Sequence, residues 1–170
     1  MKKNQSQNAT QITIFAIVFF LGTNVFAQGN INNLNLGCKG AASHKHPNGG
    51  GSVANSAVVD LTAYVAPGAI VCHSARVLDR AKILDQAVVA QGATVSEDAV
   101  IQGQAQIIGA AIVHGHANVG DASLVTGSVE LTDNVVISGN GKVTGGSKLN
   151  GNSTVGTNQI YNGVLTTKAP

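Results

Sequence analysis

Cut every six residues from Ala81, the chain reads AKILDQ, AVVAQG, ATVSED, AVIQGQ, AQIIGA, with Ala first and Ile or Val third in every block. A period of six is a multiple of the strand's two and fits the helical period of 3.6 badly. First and third positions therefore lie on one side of a short extended segment, a small residue beside a branched one. Val and Ile suit extended backbone. The Gly, Asp, Asn, Gln and Ser of the remaining positions form turns. Each block is one short strand and one bend, a unit that cannot bury its apolar side alone and must stack on its neighbours.

The frame extends far in both directions. Third positions run from Val53, Val59 and Val65 through Val71, Val77, Ile83, Val89, Val95, Ile101, Ile107, Val113, Val119 and Val125 to Leu131, Ile137, Val143, Leu149 and Val155. No block in those eighteen gains or loses a residue. First positions are Ala from Ala57 to Ala117 and then loosen to residues such as Ser123, Val129 and Ser147. The third-position side chains are expected to form a buried column. Only 4% of the chain is aromatic, which suits a core too narrow for rings.

In this pattern the chain resembles the hexapeptide-repeat family, over residues 51–158. The resemblance implies an all-β fold: a single-stranded left-handed parallel β-helix, with three blocks to each triangular coil. The left hand opposes the usual rule for parallel crossovers and comes from the resemblance alone. Eighteen blocks make about six coils. At the usual spacing of paired strands the stack is roughly 30 Å long.

Four segments follow. Residues 1–27 read as a secretory signal peptide: Lys2 and Lys3, then the apolar run ITIFAIVFFLG, then VFA with cleavage after Ala27. The other reading, an uncleaved anchor, meets an apolar run short for a bilayer. A lipid-modified Cys38 is disfavoured because Asn35 stands where an aliphatic residue is wanted. Residues 28–50 read as an irregular arm, available to cap the first coil and so protect its open strand edges. Residues 51–158 are the β-helix, and 159–170 are a tail holding at most one partial block. The mature chain is thus expected in the periplasm, at the cell surface or secreted, with no membrane span. Losing Lys2 and Lys3 leaves eight basic residues against eight acidic ones, which points away from nucleic acid as a partner.

An exported chain meets oxidising conditions, so Cys38 and Cys72 are expected to form a disulfide stapling the arm to the first full coil. Two free thiols are the alternative. The outward positions Ile70, Cys72, Val88, Ala90, Ile108 and Leu124 share one face and are too apolar for open solvent. That contact face is expected to meet the arm, an envelope glycan or protein ligand, or sister copies; the family resemblance implies a homotrimer.

Chemistry is harder to find. His44 and His46 lie in the arm, His73 at a turn, and His114 and His116 on either side of Gly115. With eighteen residues to a coil, His114 stacks between Ser96 and Thr132, and His116 between Asp98 and Asn134. His73, His114 and His116 are candidate metal ligands; solvated turn residues are the plainer reading. One branch of the family, the γ-class carbonic anhydrases, holds zinc with three histidines, but the gaps here differ from that pattern. Another branch, the acyltransferases, uses a histidine as general base beside coenzyme A, and His114 is the candidate for that role. Those enzymes extrude loops from their coils, whereas this repeat is uninterrupted, and acyl-CoA is a cytoplasmic substrate. The Gly-rich SGNGKVTGGS lacks the strand-then-helix setting of a phosphate loop. Thr126 and Thr144 stack, but Ile108 and Ala90 precede them, too short a ladder for binding ice. The reading reached is a non-catalytic exported structural or binding module without a cofactor. A trimeric acyltransferase-like enzyme is the alternative, and a γ-carbonic-anhydrase-like metal protein comes third.

Overall fold

The computed structural model describes Cys38 and residues 41–166, with side chains to Gly163. The chain divides into Met1–Asn30 and Ile31–Pro170, and every described residue belongs to the second unit. The expected signal peptide, most of the arm and the last four residues lie outside the described residues.

Among the described residues there are strands and turns and no helix. The strands, mostly two residues long, join three sheets of eight, six and seven strands. From Ser52↔Ile70 to Val143↔Tyr161 each residue pairs in parallel with the one eighteen positions on. The same offset joins Val59 to Val77 in the second sheet and Val65 to Ile83 in the third. Consecutive hexads thus fall on different sheets, and the chain is a parallel β-solenoid of about six coils.

First- and third-position side chains fill the interior. Val71, Val77, Ile83, Val89, Val95, Ile101, Ile107, Val113, Val119 and Val125 are all fully buried, as are the alanines two residues before them through Ala117. Where first positions turn polar, the hydroxyl finds a carbonyl three residues back. Ser123 donates to Gly120, Ser147 to Thr144 and Ser153 to Asn150, at 2.5–2.6 Å. A buried hydroxyl without such a partner would be costly, so this local bond is what lets Ser replace Ala in the channel.

Corners are made by fifth positions. From His73 to Gly151 every one has positive φ. Glycine takes half of these corners, and the others are Asp79, Asp85, Gln91, Glu97, Asp121, Asp133 and His73, at φ 54–63°. Asn, Asp and His are the L-residues that enter this region most readily.

Both ends differ from the sequence expectation. The arm is not wholly irregular: Ser43–Lys45 forms a strand antiparallel to Ser52–Ala54, on the outer edge of the eight-stranded sheet. Its side chains are exposed and carry no period; the free edge of the sheet supplies the ladder that makes it a strand. The reversal that follows uses Gly49 and Gly50, at φ 111° and 77°. The Asn48 carbonyl accepts the Val65 N–H at 3.1 Å, and its amide donates to the Ala63 carbonyl at 2.9 Å. Those bonds cover the first strand of the six-stranded sheet. At the other end the winding runs past Asn158. Ile160–Tyr161 pairs with Lys142–Val143, and Val164–Thr166 pairs with Lys148–Asn150 at an offset of sixteen. The last side is two residues short, which hid it from a frame of six.

Candidate functional site

Two surfaces gather side chains capable of chemistry. The first lies outside the eight-stranded sheet. Fourth-position residues Ala54, Cys72, Ala90 and Ile108 stack there into a second apolar cluster, all four buried although they lie outside the central channel. Cys38 and the half-buried Ile70, Val88 and Leu124 pack against it. Cys38 is disulfide-bonded to Cys72, with Cα atoms 5.8 Å apart. The arm is thereby tied to the first full coil, as the two-cysteine count suggested. His73, the next residue, has φ 56° and places Nδ1 3.4 Å from Cys72 Sγ.

The second surface is a charged edge. Arg80 makes a two-pronged bond to Asp98, Nε to Oδ1 at 2.9 Å and Nη2 to Oδ2 at 2.7 Å. The guanidinium hydrogen bond is the main reason Asp98 sits below the usual carboxylate range. Lys148 Nζ lies 2.7 Å from Glu130 Oε2, and its hydrogen bond likewise lowers Glu130. His114 stands between two acids, Nδ1 3.8 Å from Glu97 and Nε2 3.9 Å from Glu130, with Thr132 Oγ1 3.5 Å from Nδ1. His116 Nε2 is 3.9 Å from Asp98. Thr62, Asp79, Arg80, Glu97 and Asp98 line an open depression beside them.

On this edge Arg80 is paired with Asp98 and Lys148 with Glu130, while His114 stands at ion-pair distance from two carboxylates and His116 from one. A general base needs a substrate held within hydrogen-bond reach. The unbroken offset of eighteen leaves no extruded loop between Ser52 and Tyr161 to hold one against His114. His73 lies apart from His114 and His116. Among the described residues, the one group of three or more His, Cys, Asp or Glu whose ligand atoms all lie within 4.8 Å of one another is Cys38, Cys72 and His73. That grouping escaped the reading of the sequence, which took the cysteines and the histidines separately. The adjacency of Cys72 and His73, with His at a corner position, was the available signal. Arg80–Asp98 and Glu130–Lys148, each eighteen residues apart, were also there to be found from the coil length.

No protein-family model matches the chain, and no curated protein matches it.

Proposed function

We propose that this protein is an exported, non-catalytic rod of the left-handed hexapeptide-repeat kind, serving the cell envelope as a structural or binding module. The observation that carries this reading is the constant eighteen-residue pairing from Ser52 to Tyr161. It makes a regular surface from which no loop is extruded between Ser52 and Tyr161, whereas small-molecule enzymes need a concave site. The Cys38–Cys72 bond supports a destination where thiols oxidise. The half-buried strip of Ile70, Val88 and Leu124 is the surface for an envelope ligand or a sister copy.

The test expresses the full chain with its leader and examines what is exported. The expected product begins at Gln28, gives no saturable binding of acyl-CoA in calorimetry and no hydration of carbon dioxide above the buffer rate. Acyl-CoA binding that disappears in His114→Ala would overturn the reading in favour of a transferase. Light scattering on the same sample reports whether the rod is trimeric.

A further inference from the structure

We propose that Cys38, Cys72 and His73 form a redox-gated site for a thiophilic divalent cation, zinc being the type: closed as a disulfide, open to metal as a dithiol. Cys72 and His73 are held by elements that do not depend on the bond itself. Cys72 is fixed by a parallel ladder, its N–H donating to the Val89 carbonyl at 3.0 Å and its side chain buried in the outer apolar cluster. His73 occupies a corner whose left-handed backbone, φ 56°, turns the imidazole back onto the preceding sulfur. Cys38 comes from the arm, whose later residues are held by the Ser43–Lys45 ladder.

With the disulfide opened, the three ligand atoms are near enough to gather round one ion. In tetrahedral coordination, thiolates at about 2.3 Å and an imidazole nitrogen at about 2.0 Å from zinc lie roughly 3.5–3.8 Å from one another. Cys72 Sγ and His73 Nδ1 already stand 3.4 Å apart, and all three ligand atoms fall within 4.8 Å. Two thiolates and an imidazole form a set that prefers zinc over magnesium or calcium. His73 is partly exposed, so an ion can enter from solvent and keep water in the fourth position.

The chemistry balances. A dithiol reductant passes two electrons and two protons to the Cys38–Cys72 bond and becomes a disulfide itself. The two thiols then lose their protons to solvent as the cation binds two thiolates and the neutral imidazole. Either state ties the arm to the coil, by a covalent bond or through the ion.

Cobalt reports on such a site, because thiolate ligation gives an intense charge-transfer band. The full mature chain, reduced with a phosphine, is titrated with Co²⁺ beside the oxidised chain. The expected result is one Co²⁺ per reduced chain with that band, displacement by Zn²⁺, and no band from the oxidised chain. Cys72→Ser removes the band. His73→Gly, which suits the corner backbone, weakens Co²⁺ binding at least tenfold while circular dichroism stays unchanged. The proposal is overturned if the reduced chain shows no band, if His73→Gly binds like the parent, or if the stoichiometry is one ion to two chains.

Discussion

The carboxylate of Asp85 accepts the backbone N–H of Gly103, one coil further along the chain, at 2.8 Å. Both residues are corners with positive φ, 54° and 67°. On the same edge Asp121 repeats the bond onto Gly139 at 2.7 Å. On the neighbouring edge Glu97 donates its N–H to Asp79 at 3.1 Å and accepts that of Gly115 at 2.8 Å. An acidic corner residue thus satisfies the N–H of its successor. This gives the corners a reason for acids as well as glycines: a carboxylate repays with a hydrogen bond the strain that an L-residue suffers there.

Substitutions at Asp85 separate the two effects. Asp85→Ala loses the bond, about 1 kcal/mol, and keeps the left-handed strain that the L-residue at this corner already bears. Asp85→Gly loses the bond but relaxes the corner, and destabilises less. Asp85→Asn retains an acceptor oxygen and stays near the parent. Urea unfolding gives the ranking, and an Asn variant as damaged as the Ala variant would remove the acceptor role.

Position along the stack should matter as much as side-chain type. Ile101 is fully buried in a middle coil with coils on both sides, whereas Val155 belongs to the strand at the far edge of the six-stranded sheet. Ile101→Ala is expected to cost about 2–5 kcal/mol through lost burial and a cavity its neighbours cannot close. Val155→Ala removes fewer atoms from an edge strand, in a fold whose stability is summed coil by coil. Thermal unfolding should shift much more for the first. Hydrogen exchange should show the second confined to the C-terminal coils.

Two glycines nearby in the sequence test how tightly one corner is stacked. Gly127 has φ 98°, and a Cβ there would stand 2.5 Å from the Gly145 carbonyl oxygen. Gly146 has open space around the same position. Gly127→Ala is therefore expected to destabilise by more than ~2 kcal/mol, and Gly146→Ala to stay within about 0.5 kcal/mol of the parent. Equal midpoints in denaturant would show that the coils can separate at this corner without cost.

How much of this could be read in advance follows from where the period holds. The column from Val71 to Val125 repeats every six residues, so the period alone predicts its burial, while three blocks to a coil come from the family resemblance. Ser43–Lys45 has no apolar alternation and exposed side chains. Only the unpaired edge of Ser52–Ala54 makes it a strand, a tertiary cause invisible in composition. Tyr161 keeps the frame and packs partly against the core, but two missing residues before Val164 hide the final side. The charged edge was half legible, because residues eighteen apart meet across coils, as Arg80 and Asp98 do. The proximity of His73 to the two sulfurs depends on corner backbone and on the path of the arm, and neither has a period.

The charged edge also sets a dependence on pH. Asp98 is lowered first by its hydrogen bond from Arg80, and Glu130 first by that from Lys148. A carboxylate whose folded pKa lies below its unfolded value, about 4, adds stability that is fully present above that value. The contribution fades as pH falls through the folded pKa. Neutral and mildly acidic solutions should thus leave these pairs intact, with the loss falling below about pH 4. Both carboxylates are solvent-exposed, so added salt should shrink the effect. Arg80→Met keeps most of the aliphatic stem, removes the guanidinium, and should move the Asp98 titration upward while leaving Glu130 unchanged. Carboxyl carbon shifts followed by NMR at low and high salt measure this directly. An Asp98 midpoint that does not move in Arg80→Met would mean that the two-pronged contact is not maintained in solution.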